Sequence, residues 1–494
     1  MYDNIFNMTK KFEVAMLFLV FLLTGFFSTY KLTESPSVWY DEGIYFQTAA
    51  NLAQGKGMNF QFAPGHLEDM MSRFTVSYPF IYPLAAAFKV FGVNILVGRS
   101  LMVFFIFALS MCGYFLIRKR FGVNFALGAL ALIVTFPPLY GNGKSILGEV
   151  PGLLFLTLSL LSFQYAIKFR GQSNLGIILA GFFAGLCAST KPVFLVFLPG
   201  FAFVALFHLY RGLLSKKQVV LGGIFSLLPV LVWLFIQFKS ADSLNTIFTF
   251  YANPYAVKSI LGVIKENLIN FITEAGPLYL LLMLIVWTSA IFIRRLKKIS
   301  ISGEETIAFS FCILISLAYL RIQGWHRYIF PAQIVALLYL TPSLSICAGW
   351  IAEKIKKQKI SAYFQKFGTL TIVAVLLLWG IYGVMFNSWV ASAYKVDKTA
   401  FWENYFKSSS VGTSFFFYNA PEVAIFSLSD NYYQYLPLPT AGGLFGEEWL
   451  KVIENGNVDK IIVRTDIFGS QKDWFLKHYR LEREAYKYTI LIKK

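Results

Sequence analysis

The chain has 494 residues, is 57% hydrophobic, 18% aromatic and 14% charged, and carries a net charge of +18 with a mean hydropathy of +0.59. Soluble domains are roughly a quarter charged, so this composition excludes a soluble enzyme, and it excludes the nucleic-acid module that net charge alone would suggest. What remains is a polytopic α-helical membrane protein.

About eleven apolar runs are long enough to cross roughly 30 Å of hydrocarbon as helix. They centre near Leu22, Phe107, Leu130, Leu158, Leu179, Phe201, Leu228, Leu284, Ile315, Leu338 and Leu376. Basic clusters fall in every second connection: Lys10 and Lys11; Arg118 to Arg120; Lys168 and Arg170; Arg211, Lys216 and Lys217; Arg294 to Lys298; Lys354 to Lys359. The positive-inside rule then predicts a cytosolic N-terminus. Residues 31–96, 141–149, 188–192, 239–276 and 321–327, and the tail from about 388, are expected on the outer side. No small-residue cleavage site follows the first run, which reads as an uncleaved anchor in a cytoplasmic membrane. Cys112, Cys187, Cys312 and Cys347 lie in or beside apolar runs and read as buried small residues.

The expected membrane domain is 1–390, with a first outer loop, 31–96, that carries surface helices. In that loop 42–54 reads as a short amphipathic helix, with Asp41 as its N-cap and Gly55 and Gly57 as stop signals. Pro79 to Phe91 is too short to span comfortably and reads as a surface or re-entrant helix. In the loop 239–276, Tyr251, Asn253, Pro254 and Tyr255 break any period, which suits a mobile cover over a site. Residues 391–494 read as a small soluble α/β domain on the outer face, with strands at Phe415 to Tyr418, Lys460 to Arg464 and Tyr486 to Ile492. Helical patterns at Glu447 to Glu454 and Gln471 to His478 lie between the later strands.

Ionisable residues at the edges of membrane segments are costly and mark functional sites by default. Asp41 and Glu42 follow the first run, Glu149 heads the fourth, Lys191 sits at the next outer turn and Arg327 precedes Pro331. Acids from two places in the chain and bases from two others thus reach one face. Such a cavity suits a sugar carried on a polyprenyl phosphate. Lys191, Arg327 and Lys144 would neutralise the leaving phosphate, and Asp41 would take the proton from an acceptor hydroxyl, with inversion at the sugar. Glu149 and Glu42 are the other candidate catalytic acids. Tyr40, Tyr45, Tyr82, Tyr251, Tyr255 and Tyr328 are candidates to line the sugar. His66, His326 and Glu68 offer ligands to a divalent metal that the sequence does not require. The plainer readings are a helix cap for Asp41, a first-turn charge for Glu42 and a snorkelling lysine for Lys191.

The acidic pair, in the run Tyr40, Asp41, Glu42, Gly43, resembles the GT-C superfamily of integral-membrane glycosyltransferases, above all protein O-mannosyltransferases and lipid A aminoarabinose transferases. Other matching elements are Tyr78 to Leu84, Arg99, Glu149, the turn Thr190, Lys191, Pro192, and Arg327, Tyr328 and Pro331. The resemblance covers about residues 1–350. It implies a donor sugar on a lipid phosphate, an inverting transfer to a lipid, glycan or protein acceptor, an essential acid at Asp41, a second at Glu149, and donor phosphate contact by Lys191. This chain has Glu149 where these families more often have Asp, and it shows no Lys-Pro pair near Tyr78 to Pro83. It also lacks the Trp-Trp-Asp signature of oligosaccharyltransferases, which argues against en bloc glycan transfer. The alternatives are a transporter or flippase of a lipid-linked substrate, for which midplane polar groups and internal repeats are expected, and a noncatalytic assembly subunit.

Overall fold

The computed structural model describes residues 9–69, 76–168, 174–238, 245, 259–322, 324–355, 367–410, 412–427, 429–437 and 444–494. Each of the expected apolar centres lies in a helix. Among the described residues eight helices are long and apolar enough to cross a membrane, or nine if the bent pair Val123–Val134 and Pro137–Gly143 is one span, and the expected count of eleven is not confirmed. The difference has physical causes. Val123–Val134 ends before Pro137 and Pro138, and the next helix departs at 59°. Asn174–Thr190 and Gly303–Tyr319 have 17 residues each. At 1.5 Å per residue that is about 26 Å, short of roughly 30 Å.

Asn174–Thr190 is held deep in the bundle by small residues. A Cβ added to Gly181 would stand 2.2 Å from the Gly222 carbonyl oxygen, and one on Gly185 2.3 Å from that of Ser226. Such close backbone approach is how membrane helices gain packing contact where lipid supplies no hydrophobic drive. The four cysteines are free, with Cys187 and Cys312 buried.

The segment 31–96, expected on the outer side, contains helix Tyr40–Ala53, the hairpin β1 (Phe60–Ala63) and β2 (His66–Glu68), and helix Tyr78–Phe91. The first helix begins earlier than expected, and its N-cap is Trp39 rather than Asp41. Glu42 accepts from the Trp39 backbone N–H at 3.1 Å, so the glutamate does the helix-start work. Helix Tyr78–Phe91 has Pro79 in its first turn and turns Phe80, Leu84 and Phe88 inward. Phe88 packs on Phe46 at 4.8 Å and Phe80 on Phe105 at 6.3 Å between ring centroids. The loop 239–276 contains helix Ile260–Thr273, not irregular chain throughout. Tyr251 and Tyr255 lie outside the described residues.

The C-terminal part is a mixed sheet with strand order β5-β4-β3-β6-β8-β7. β3 (Phe415–Tyr418) runs parallel to both β4 (Tyr432–Pro437) and β6 (Lys460–Arg464). β5 (Leu444–Phe445) is antiparallel to β4; β8 (Tyr488–Lys493) is antiparallel to both β6 and β7 (Tyr479–Ala485). Strand periodicity sends Phe415 and Phe417 to one apolar cluster and Phe416 and Tyr418 to the other. With both faces covered, these central strands read as unbroken apolar runs.

The sheet domain sits directly on helix Tyr40–Ala53. A Cβ on Gly43 would fall 2.5 Å from the backbone of Glu422, so only glycine permits this approach to the short helix Pro421–Ala424. Gln47, buried, donates to the Pro421 carbonyl at 3.0 Å and accepts from Gln434 Nε2 at 2.8 Å. The seam fixes the start of this helix, and the start carries Asp41.

Candidate active site

Four chain segments deliver four charges to one place. Asp41 lies in the first turn of helix Tyr40–Ala53 and Glu149 opens helix Glu149–Lys168. Both acids thus sit at helix N-termini, where the backbone dipole favours negative charge. Lys191 follows helix Asn174–Thr190 and precedes Pro192; the proline ring disfavours helical backbone before it, and Lys191 is extended, at φ −156° and ψ 137°. Arg327 lies in the single turn His326–Tyr328 that leads into helix Phe330–Lys354.

Arg327 Nη1 lies 2.6 Å from Asp41 Oδ2, and Lys191 Nζ lies 2.5 Å from Glu149 Oε1. The two pairs form one system, since the charge of Lys191 also acts on Asp41 and that of Glu149 on Arg327. Burial alone would raise the Asp41 pKa, but the Arg327 and Lys191 charges outweigh it and hold the carboxyl below its ordinary value. Burial alone would likewise lower Arg327, and the charge of Asp41 more than reverses it. The Arg327 guanidinium stacks over Trp325 at 5.0 Å and Tyr328 at 5.3 Å.

The quartet is incomplete. Glu149 Oε2 and Arg327 Nε are buried without a hydrogen-bond partner among the described residues. A buried unsatisfied acceptor and a buried unsatisfied donor each cost free energy that a bound polar group would recover. Tyr40 adds a third such atom: its hydroxyl is buried and unpartnered, within the field of Glu422 and Asp41.

Glu42 differs from its neighbour. It is fully buried and takes the Arg99 Nε and Nη2 at 2.9 Å each, with the Ile146 backbone N–H at 3.0 Å. Lys144 is not placed against the quartet by any contact. Its ammonium donates to the Tyr30 carbonyl at 2.7 Å and lies 5.3 Å from the Tyr394 ring centroid. Burial, with the nearby Arg99 charge, brings its pKa down to about 7. Tyr328 stacks beside the quartet on Trp325, Tyr45 is buried in the core and Tyr82 is 45% exposed against Tyr78.

The possible metal ligands separate. His326 pairs with Glu274, whereas His66 and Glu68 meet Glu448, a residue the sequence reading did not single out. That half-exposed trio can hold a divalent cation. No sequence signal links Glu448 to residues some 380 positions earlier. Arg99 was legible as a matching position, but its buried pairing with Glu42 was not.

The family of dolichyl-phosphate-mannose-protein mannosyltransferases matches residues 78–236, which include Glu149 and Lys191 but neither Asp41 nor Arg327. No curated protein matches the chain. The crystal structure of ArnT from Cupriavidus metallidurans bound to undecaprenyl phosphate aligns with a TM-score of 0.60 at 11% identity, covering 98% of each chain. The oligosaccharyltransferase of Archaeoglobus fulgidus, in complex with Zn and sulfate, aligns at 0.56 and 13% identity over 96% of this chain and 72% of that one. The chain therefore carries the GT-C fold and resembles the membrane glycosyltransferases of that superfamily.

Proposed function

We propose that the protein transfers a monosaccharide, with inversion, from a polyprenyl-phosphate donor to a lipid, glycan or protein acceptor on the outer face of a cytoplasmic membrane. The observation that carries this reading is the unfinished quartet of Asp41, Arg327, Glu149 and Lys191, with one acceptor and one donor atom left over. The alternation of basic clusters supports a cytosolic N-terminus and an extracytoplasmic C-terminal domain from about residue 391. The likeness to a protein crystallised with undecaprenyl phosphate supports a lipid-phosphate donor.

In this reading the donor phosphate competes with Asp41 for Arg327 and takes the second positive charge from Lys191. Withdrawal of Arg327 restores basicity to Asp41 when an acceptor hydroxyl is in place. The acceptor oxygen attacks the anomeric carbon, its proton passes to Asp41, and the bond to the phosphate oxygen breaks. The released polyprenyl phosphate keeps the electron pair, stabilised by both cations in a site of low dielectric. Glu149 holds Lys191 in position and offers its free oxygen to a sugar hydroxyl. Glu42 positions the helix that carries Asp41.

The test is to incubate purified protein with a polyprenyl-phosphate hexose labelled in the sugar and a panel of lipid, glycan and peptide acceptors. Release of polyprenyl phosphate, with the labelled sugar joined to an acceptor through a bond of anomeric configuration opposite to that of the donor, supports the reading. Movement of the intact labelled donor across a vesicle, with the sugar-phosphate bond unbroken, would establish the transporter instead.

A further inference from the structure

We propose that His66, Glu68 and Glu448 form a zinc site that clasps the first-loop hairpin to the C-terminal domain, at a place separate from the catalytic quartet. The ligand atoms of the three side chains already lie within 4.8 Å of one another, and His66 Nε2 is 3.1 Å from Glu68 Oε1. In a tetrahedral zinc site with bonds of about 2.0–2.1 Å, neighbouring ligand atoms are roughly 3.3 Å apart. One edge is at that spacing, and the half-exposed glutamates can close the rest by side-chain rotation alone.

Electrostatics supplies an independent reason. The chain has 44 basic residues against 26 acidic ones, yet here two glutamates converge on a histidine. Glu448 makes no ion pair among the described residues. Lys451 lies over the Trp449 ring, 6.0 Å from its centroid, and pairs with neither acid. Two carboxylates this close repel unless a cation joins them, and a divalent ion with a neutral imidazole cancels their charge. An imidazole with carboxylates selects zinc over magnesium or calcium, which take oxygen ligands. Three protein ligands leave a fourth position for water.

The backbone beneath the site is set firmly. Gly446, at φ +74°, turns the chain so that an added Cβ would meet the Gln434 carbonyl oxygen at 2.4 Å and the Phe62 ring at 2.9 Å. Gln434 donates to the Gln61 carbonyl at 2.7 Å, and Gln61 to that of Asp430 at 2.8 Å. The His66 ring packs edge-on against Trp449 at 5.4 Å, which restricts its orientation. Hairpin and domain are therefore already in register, and the metal would lock that register.

The experiment uses the full chain in detergent, stripped with chelator and titrated with zinc chloride alone. Expected are one zinc bound per chain, a higher melting temperature, slower hydrogen exchange at residues 60–68, and no such response to magnesium chloride. His66→Ala and Glu448→Gln should each weaken zinc binding by more than the roughly 10–100-fold that loss of an orienting partner costs. His326→Ala should leave it unchanged. Cobalt in place of zinc should give a tetrahedral visible spectrum that His66→Ala abolishes. Absence of stoichiometric binding, binding indifferent to both ligand variants, or binding without slower exchange at the hairpin would each overturn the proposal, whatever the outcome for sugar transfer.

Discussion

Asp41 and Glu42 are neighbours on one helix turn, yet they occupy opposite electrostatic situations. Glu42 is closed off: two guanidinium bonds from Arg99, two backbone N–H groups and no exposed surface leave nothing for a substrate to use. Asp41 has one strong partner, retains about a quarter of its side-chain surface, and stands in a cluster with an unmatched donor and an unmatched acceptor. Saturation marks a charge that holds structure, and incompleteness marks one that awaits a ligand. Both acids pair with a guanidinium from another chain segment, so charge alone does not tell them apart. The hydrogen-bond inventory does.

The largest effect that would sharpen this contrast is on stability. Glu42→Gln leaves Arg99 buried without a counter-charge and should cost about 3–5 kcal/mol, seen as a large drop in melting temperature or loss of folded protein. A variant that folds as well as the wild type would break the contrast from this side. Lys191→Met likewise leaves Glu149 buried without its partner and should lower the melting temperature, and in the protein that still folds it should lower the rate constant of transfer by about 10²–10³, the scale for losing one electrostatic contact in a transition state. Next in size is Gln47→Ala at the seam, which abandons the Pro421 carbonyl and one Gln434 hydrogen bond. Thermal unfolding should show a loss of about 1–3 kcal/mol.

The smallest effect concerns Lys144. Burial holds its folded pKa near 7, below its ordinary value of 10.5. The folded state therefore binds fewer protons at this site than the unfolded state between those values, and its stability rises with pH across that window. Below about 7 the penalty for the buried ammonium is complete; above 10.5 it is gone. Lys144→Met should flatten the slope of melting temperature against pH between 7 and 10.5. An unchanged slope would show that the ammonium is not desolvated.

Much of this was legible in the sequence for local reasons. Apolar runs of the right length located the helices, and β3 and β6, buried on both faces, announce themselves as Phe415 to Tyr418 and Lys460 to Arg464. β7 does not: Tyr479–Ala485 is an edge strand with Arg480, Glu482, Arg483 and Glu484, charges that protect an edge from pairing and hide it from hydrophobic patterning. The count of eleven crossings is not confirmed: Asn174–Thr190 has 17 residues, at the short end for a span, and the apolar pattern alone does not show where its helix stops. In the candidate site, Asp41, Glu149, Lys191 and Arg327 stood out individually because charges at membrane edges are rare. Their pairing, and the division of labour between Asp41 and Glu42, depend on ion pairs between positions 42 or more residues apart, which no local pattern encodes.

The central claim is that Asp41, unlike the residue beside it, is held for chemistry. Its most direct test is the single-turnover rate of sugar transfer by Asp41→Asn at saturating donor, measured on protein whose melting temperature is checked alongside. The account predicts a fall of about 10²–10⁴ in rate, the range for a lost general base, with the fold retained. Transfer at the wild-type rate by the folded variant would contradict it.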